Sequence, residues 1–283
     1  MKDSLNIAIA GATGYVGLEL IKILSKHPKV NINYLCARKF IGKTIHSFDR
    51  SIKKVNLPKI SKINDIKWNK INVLFTALPN GEAQKLSKCI PKKIKIIDLS
   101  ADFRIDNFES YKKWYGINFY SKKLIKNSVY SISEFSRNKL NNSRIIACPG
   151  CYPTSVQLPL VPLITKKKIS TKNIIIDSKS GYSGAGKNIK KKFSNIDFLN
   201  SVSAYGVGSH RHMVEIDQEL SKASKKNVKV FFTPHLMPIF RGILSTIYVD
   251  TVGGNTPKKI YNYLKKYHKK NYFVKIVKFN SPL

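Results

Sequence analysis

Cysteine and long apolar runs are both scarce in this chain. Its 283 residues include four cysteines, too few for a disulfide framework, so we expect a reducing, cytoplasmic environment. No apolar run approaches the ~18–20 residues that a membrane-spanning helix needs, and we expect no membrane partner. The opening residues, MKDSLNIAIAGATG, lead from a short apolar run straight into a glycine turn. That pattern favours a first β-strand over a signal peptide.

Acidic residues and arginine are also scarce. There are 16 Asp and Glu against 51 Lys and Arg, and the formal net charge is +35. Seven of the basic residues are Arg and 44 are Lys, scattered through stretches such as KKIKIIDLS. Nucleic-acid surfaces usually cluster basic residues and use Arg for bidentate contacts. We therefore favour solvated lysine-rich faces, which still attract small anions. A nucleotide- or nucleic-acid-binding protein without turnover remains the alternative.

The first half of the chain alternates strands and helices. A strand at Leu5–Ala10, a glycine turn, a helix ending near His27–Pro28 and a strand VNINYLCA form a βαβ unit. Further strands fit 72–78 and 95–100, with a helix after Asn80–Gly81. This alternation predicts an α/β fold, with a Rossmann-like, doubly wound parallel sheet over residues 1–149.

The second half has a different texture and predicts an α+β domain over residues 150–283. A helix is expected from Tyr152–Pro153 to Ile164, and another at 256–267. Longer strands fit three ranges and one further stretch, namely 173–180, 228–234, 242–250 and YFVKIVKFN. Strands of this length can lie across helices, which favours an α+β architecture.

A glycine-rich turn, GATGYVG, separates the first strand from the first helix. Its three glycines, Gly11, Gly14 and Gly17, permit a tight turn and close approach of the backbone to a pyrophosphate at a helix N-terminus. Glycines can also serve as plain connectors, but their place between strand and helix favours nucleotide binding. The predicted cofactor site therefore includes this turn, with Thr13 and Tyr15.

The end of the second strand bears on the choice of dinucleotide. NAD sites usually place an acid there for the ribose hydroxyls. Here LCARKFIGK contains none, and no Asp or Glu occurs between Glu19 and Asp49. Arg38 and Lys39 stand where a 2′-phosphate would lie, which predicts NADP(H). The alternative is that both are ordinary surface cations.

Two cysteines, Cys148 and Cys151, stand three apart just before the predicted helix at Tyr152–Pro153. A thioredoxin-like couple would belong near the start of the chain, and a zinc site using His210 and His212 lacks a second C-x-x-C and the usual spacing. A single nucleophile at Cys151 fits better, because a helix N-terminus favours the thiolate form. We expect no metal; a merely packed Cys151 is the remaining alternative.

A cysteine nucleophile needs a base, and YGVGSHRHMVEI offers His210, Arg211 and His212 just before a predicted helix. Imidazole titrates near neutrality and suits proton transfer to and from a thiol. Surface or capping histidines would give the same pattern, so this segment alone leaves the assignment open.

Several motifs together carry a family resemblance. PGCYPTSVQLPLVPL, SGYSGAGK, YGVGSHRHMVEI and FTPHLMPIFRGIL follow GATGYVG and LSADFR in order along the chain. In this the sequence resembles the N-acetyl-γ-glutamyl-phosphate reductases of arginine biosynthesis, and more distantly aspartate-semialdehyde dehydrogenases, which are the alternative enzyme class. The resemblance implies NADPH-dependent reduction of an acyl phosphate to a semialdehyde, with release of inorganic phosphate, by a homo-oligomer (a dimer or tetramer).

The resemblance also implies roles for individual residues. Cys151 would form a thioester with the acyl group, and His212 would act as base and then as acid. The remaining residues that it implicates are substrate contacts, Arg104, His210, Arg211 and Glu215, and a turn near the nicotinamide or phosphate, Ser183, Gly184 and Gly186.

Two departures from the family pattern stand out. VYSISE replaces the common VYGLPE, so Ser131 and Ser133 stand where a glycine and a proline are frequent, while Glu134 is retained. The sequence also ends before the family's return helix with its N-L-x-K-G-A type motif. That predicts an exposed apolar sheet face, and it leaves a truncated, inactive nucleotide-binding remnant as a further alternative.

Overall fold

The computed structural model describes residues 4–52, 56–119, 121–186 and 200–281. The chain forms two compact units, Met1–Pro149 and Gly150–Leu283. Among the described residues, no helix is both long and apolar enough to cross a membrane.

The first unit contains a seven-stranded sheet whose paired strands all run parallel. In chain order the strands are β1 Leu5–Ala10, β2 Val30–Cys36, β3 Ile60–Ser61, β4 Val73–Thr76, β5 Lys95–Asp98, β6 Ser128–Tyr130 and β7 Ile145–Ala147. Their spatial order is β3-β2-β1-β4-β5-β7-β6. The chain reverses direction across the sheet between β1 and β4, and the carboxyl ends of such strands frame the ligand crevice of doubly wound folds.

Helices connect these strands and cover both faces of the sheet. They are α1 Tyr15–Leu24, α2 Glu82–Cys89, α3 Phe108–Tyr115, α4 Lys122–Lys126 and α5 Ser133–Leu140, with 3₁₀ turns at Ile45–Ser47, Ile63–Asp65 and Trp68–Lys70. Along β1, Ile7 and Ile9 enter one buried cluster while Ala8 and Ala10 enter another. Because both faces are buried from Ile7 to Ala10, this part of the strand is a continuous apolar run, as is typical of parallel sheets. The predicted doubly wound fold is confirmed.

The second unit contains a mixed four-stranded sheet of order β11-β8-β10-β9. Its strands are β8 Ile174–Gly181, β9 Ser203–Ala204, β10 Val230–Met237 and β11 Ile243–Tyr248. β8 pairs in parallel with β10 and antiparallel with β11. The helices of this unit are α6 Cys151–Thr165, α7 His212–Ser224 and α8 Pro257–Tyr267, with 3₁₀ turns at Tyr182–Ala185 and His268–Lys270. The predicted α+β architecture is confirmed.

One face of this sheet is buried and the other is not. Ile174 and Ile176 of β8 pack with Val156 of α6 and Ile216 of α7 in a single buried cluster. On the opposite face, four apolar side chains remain largely exposed, and we call them the outer face: Ile175, Phe231, Leu244 and Tyr248. Phe231 and Tyr248 both lie in register with Ile175, so these three form a continuous apolar row across three strands.

The helix that begins at Cys151 contains two prolines, Pro159 and Pro162. Proline has no N–H, so Pro162 cannot donate to the carbonyl of Leu158 one turn earlier. The buried ring of His268 lies 3.0 Å from that carbonyl through its Nε2 atom, and its Nδ1 atom is 2.9 Å from the Asn271 amide. His268 therefore replaces a missing hydrogen bond of α6.

One predicted strand is wrong. The stretch YFVKIVKFN, residues 272–280, contains no strand. Its backbone turns locally instead, with the Val274 N–H donating to the Asn271 carbonyl, and Tyr272 and Phe273 are 93% and 85% exposed. Alternation of apolar and lysine residues suggested a strand, but such a pattern needs a neighbouring strand edge to pair with.

Candidate active site

Cys151 is the first residue of α6, one position earlier than the sequence predicted for the helix start. Gly150 caps the helix in an extended conformation, and its carbonyl accepts hydrogen bonds from the Thr154 N–H at 3.0 Å and the Thr154 hydroxyl at 2.8 Å. Cys151 is exposed. A thiol at the first turn of a fifteen-residue helix faces the positive end of the helix dipole, which favours the thiolate.

His212 is held against the residue that precedes this cysteine. His212 is the first residue of α7, and its ring packs on the α-carbon of Gly150. A β-carbon placed on Gly150 would lie 2.5 Å from Nε2 of His212. A glycine is therefore required here for the imidazole to reach the turn that carries Cys151.

Glu215 ties the same two elements together from inside the unit. It lies in the first turn of α7, is fully buried, and accepts a hydrogen bond from the Gly150 N–H at 2.8 Å through Oε1. This contact fixes the turn before Cys151, and the predicted contact of Glu215 with substrate stays a prediction.

His210 supports His212 through the main chain. Its Nδ1 accepts a hydrogen bond from the His212 N–H at 3.1 Å. Burial, reinforced by the neighbouring Arg211, lowers the pKa of His210 to about 4. The ring is therefore neutral at pH 7, with its proton on Nε2, because Nδ1 is the acceptor. His210 orients the start of α7 without adding charge to the site.

Aromatic rings enclose the two histidines. Tyr152 contacts His210 and His212 edge to face, and Phe232 contacts His210 in the same way. The hydroxyls of Tyr152 and Tyr205 are 3.0 Å apart. Burial raises the pKa of both phenols, and the nearby Cys151 contributes to both shifts. These two tyrosines are not among the residues predicted from the sequence; their position beside the two motifs, in GCYP and AYGVG, is the signal that identifies them.

Two further predicted residues differ in exposure. Arg104, in the first unit, is buried, and it donates from Nε to the Cys148 carbonyl at 2.7 Å and from Nη2 to the Leu99 carbonyl at 2.9 Å. It thus anchors main chain at the end of that unit. Arg211 is exposed at the N-cap of α7. Their contacts with substrate stay predictions.

Cys148, the other cysteine of the pair, has a different environment. Burial, with a contribution from Asp98, raises the pKa of Cys148 to about 11. A thiol that stays protonated at pH 7 is a poor nucleophile. In the described parts of the chain, no group of three or more His, Cys, Asp or Glu side chains is arranged to hold a metal ion.

The first unit contains a cavity of about 680 Å³ at the carboxyl ends of β1 and β4. Gly11, Thr13 and Gly14 of the predicted turn line it. Gly11 has φ +88°, and a β-carbon there would lie 2.2 Å from the Ala77 carbonyl oxygen; one on Gly17 would lie equally close to the Gly11 oxygen. Glycine is thus required at both positions by close packing of the main chain on itself. The resulting tight turn before a helix N-terminus fits the pyrophosphate of a dinucleotide.

Basic side chains surround the outer part of this cavity. Arg38 lines it, as do Lys62 and Lys85, which were not predicted from the sequence. Neither lysine carries a local signal in a chain so rich in lysine. Tyr15 begins α1, while Lys39 is exposed, and neither is among the described residues that line the cavity.

The turn at Ser183, Gly184 and Gly186 follows β8 in the second unit. The Ser183 N–H donates to the Phe240 carbonyl at 3.0 Å, and Gly186 has φ +82°. The turn is therefore anchored to the β10–β11 connection. Its contact with a cofactor stays a prediction.

The departure at residues 129–134 is accommodated locally. The hydroxyls of Ser131 and Ser136 are 2.6 Å apart, and Ser133 is the first residue of α5, with Glu134 in its first turn. The first helical position is the one that tolerates proline, so a change from proline to serine leaves the helix start intact.

Comparisons with known proteins agree with this architecture. Residues 6–143 match the family model described as semialdehyde dehydrogenase, NAD binding domain, and residues 151–283 match semialdehyde dehydrogenase, dimerisation domain. A protein from Oryza sativa, named probable N-acetyl-gamma-glutamyl-phosphate reductase, chloroplastic, is 39% identical over 99% of this chain and 67% of its own length.

Bacterial relatives and solved structures extend the comparison. N-acetyl-gamma-glutamyl-phosphate reductases from Ehrlichia canis and Afipia carboxidovorans are each 40% identical, over 97% and 99% of this chain and 80% and 81% of theirs. The crystal structure of aspartate semialdehyde dehydrogenase II from Vibrio cholerae matches with a TM-score of 0.69 at 17% identity, over 93% of this chain and 79% of that one. That similarity concerns the fold.

Proposed function

The chain belongs to the N-acetyl-γ-glutamyl-phosphate reductases of the semialdehyde dehydrogenase family, and from this premise we propose that it reduces N-acetyl-γ-glutamyl phosphate to N-acetylglutamate 5-semialdehyde and inorganic phosphate in arginine biosynthesis. The observation that most supports this proposal is the packing of the His212 ring against Gly150, the residue immediately before Cys151, in a turn that Glu215 holds by a hydrogen bond. A cytoplasmic location is part of the proposal.

Cys151 acts as the nucleophile. Its sulfur attacks the γ-acyl carbon, a carbon–sulfur bond forms, and the bond to the phosphate oxygen breaks with its electron pair leaving on inorganic phosphate. The product is a thioester on Cys151. The helix N-terminus supports the thiolate that this attack requires.

His212 accepts and donates the proton in this proposal. It takes the proton of the Cys151 thiol before the attack, and later gives a proton to the oxygen that becomes negative when the thioester is reduced. NADPH, when bound, supplies the hydride for that reduction. Return of the proton to His212 lets the carbon–sulfur bond break, which releases the semialdehyde and regenerates the thiolate. His210, neutral at pH 7, keeps His212 oriented.

Substrate recognition is assigned to two arginines, one histidine and one glutamate. Arg211 is exposed beside His212, and a guanidinium suits bidentate binding of a phosphate or carboxylate. Arg104, His210 and Glu215 complete the proposed substrate set.

The proposed cofactor is NADP(H). The turn at Gly11, Thr13 and Gly14 would hold the pyrophosphate, and Arg38 at the end of β2 would pair with the 2′-phosphate. Lys39 and Tyr15 are kept as nearby contacts, and Ser183, Gly184 and Gly186 as the contact of the second unit with the nicotinamide or phosphate.

The proposed assembly is a homo-oligomer, a dimer or tetramer. The outer face of the second unit, which includes Ile175 and Phe231, is apolar and exposed. Apolar patches of this kind commonly mark subunit interfaces. Its place in a region that matches a dimerisation domain supports a second copy of this chain as the partner.

The test is semialdehyde oxidation by the purified chain with NADP⁺ and inorganic phosphate. Wild type should oxidise N-acetylglutamate 5-semialdehyde only when phosphate is present, and aspartate semialdehyde far more slowly. Cys151→Ser should lose at least about a thousandfold in kcat, as loss of a nucleophile does. The matched Cys148→Ser should keep most activity. The reverse pattern, or turnover of aspartate semialdehyde alone, would reject the assignment.

A further inference from the structure

The cavity of the first unit contains an acid that the proposed cofactor site does not explain. Of the described residues that line it, Glu82 alone is acidic, while Arg38, Lys62 and Lys85 are basic. The acid that many dinucleotide sites place at the end of the second strand is missing here. Glu82 comes from a different element, the first turn of α2 beyond β4.

Glu82 pairs with two of the cations at once. Its Oε2 lies 2.7 Å from Nη2 of Arg38, and its Oε1 lies 3.6 Å from Nζ of Lys85. The Arg38 side chain is 78% exposed and that of Glu82 is 30% exposed. The guanidinium therefore reaches back from a solvent position to the wall of the cavity, and the carboxylate is the group that holds it there.

A 2′-phosphate requires the same donors. It carries about −1.5 to −2 charges at pH 7 and binds a guanidinium in the same bidentate manner as a carboxylate. Glu82 occupies Nη2 of Arg38 and so removes one donor from the bidentate contacts that the guanidinium could make with a phosphate. Glu82 would also lie near the phosphate with the same sign of charge. A ribose 2′-hydroxyl differs, because it donates a hydrogen bond that a carboxylate can accept.

We propose that Glu82 is a specificity-determining residue of the cofactor cavity, which competes with the 2′-phosphate for Arg38 and Lys85 and thereby narrows the preference for NADP(H) over NAD(H). This inference rests on the NADP(H) proposal above. In it, Arg38 exchanges Glu82 for phosphate when NADP(H) binds, and Glu82 accepts a ribose hydroxyl when NAD(H) binds.

The test compares Glu82→Gln with wild type in binding titrations that need no turnover. NADPH and NADH are titrated by their own fluorescence, and 2′,5′-ADP by calorimetry. Glu109→Gln is the matched control, because Glu109 also lies in the first turn of an eight-residue helix of this unit but does not line the cavity. Thermal midpoints recorded alongside show that each variant is folded.

Glu82→Gln should bind NADPH and 2′,5′-ADP about fivefold more tightly, the effect expected of one partly exposed charge, and NADH more weakly. The gain should shrink as salt rises, because exposed charges are screened. Glu109→Gln should bind all three like wild type. Weaker binding of NADPH by Glu82→Gln would mean that Glu82 only preorders Arg38, and equal shifts for NADPH and NADH would mean that it does not discriminate; either result overturns the inference.

A further variant separates this inference from its premise. Replacing Arg38 and Lys39 together by Gln should weaken NADPH far more than NADH. If it weakens both equally, the 2′-phosphate assignment fails. If it acts selectively while Glu82→Gln leaves NADPH binding unchanged, the NADP(H) proposal stands and the competition by Glu82 is refuted.

Discussion

A single methyl group on Gly150 should inactivate the enzyme while leaving its fold intact. In Gly150→Ala, the new β-carbon would lie 2.5 Å from Nε2 of His212, whereas ordinary contact begins near 3.4 Å. The imidazole must therefore move by about 1 Å, and a misplacement of that size can reduce the rate about 100-fold. The Gly150 backbone has φ −66°, which alanine adopts readily, so no backbone strain is added.

The assay for Gly150→Ala has two readouts. Phosphate-dependent oxidation of the semialdehyde should lose about two orders of magnitude in kcat, while the free energy of unfolding should change by less than about 1 kcal/mol, because the displaced atom is the end of a side chain. Thr165→Ala, at the exposed far end of α6, is the control variant and should match wild type. Near-normal kcat in a folded Gly150→Ala, or loss of the fold itself, would refute the reasoning.

Two further predictions concern stability. His268→Ala should destabilise the second unit by about 1–3 kcal/mol, because it removes the donor to the Leu158 carbonyl. The loss of stability should be smaller in a Pro162→Ala background, where the new N–H of residue 162 can donate to that carbonyl. The measurement is urea unfolding followed by circular dichroism, and equal losses in both backgrounds would contradict the prediction. Burial raises the pKa of Asp98 to about 6, so the folded protein binds this carboxyl proton more tightly than the unfolded chain does. The contribution of Asp98 to the free energy of unfolding is therefore full below pH 3.8 and is lost as the pH rises through 6. Asp98→Asn should flatten this dependence of stability on pH, which is worth up to about 3 kcal/mol. The measurement is unfolding followed by tryptophan fluorescence, which reports on the first unit because Trp68 and Trp114 both lie there. An unchanged dependence on pH in the variant would contradict the prediction.

The elements predicted best from the sequence are those that the spacing of neighbouring residues determines. The first strand, the glycine turn and α1 follow one another directly, and their periodicities of two and 3.6 residues are independent signals for the same unit. The stretch at 272–280 shows the limit of the same method. Its alternation resembles that of β11, but β11 has β8 to pair with, whereas the C-terminal stretch forms its hydrogen bonds locally.

The parts of the candidate site that the sequence did not predict depend on contacts between distant residues. Glu82 and Arg38 are 44 positions apart, and nothing near either one indicates the pairing. Glu215 shows the same limit. Its place beside the two histidines predicts a substrate contact, which stays a prediction, whereas nothing in the sequence indicates its hydrogen bond from the Gly150 N–H 65 positions away.

Gly150 explains why the cysteine and histidine motifs act as one physical unit although some sixty residues separate them. Its N–H is held by Glu215, its carbonyl by Thr154, and its bare α-carbon by the ring of His212. Each contact uses a different part of one residue, and the last excludes any side chain. The position of the proposed base, His212, relative to the proposed nucleophile, Cys151, is therefore set through the main-chain atoms of Gly150, which have fewer ways to move than side-chain atoms do. Arrangements of this kind keep reacting groups aligned through both steps of a reaction that forms and then breaks a bond to the same sulfur.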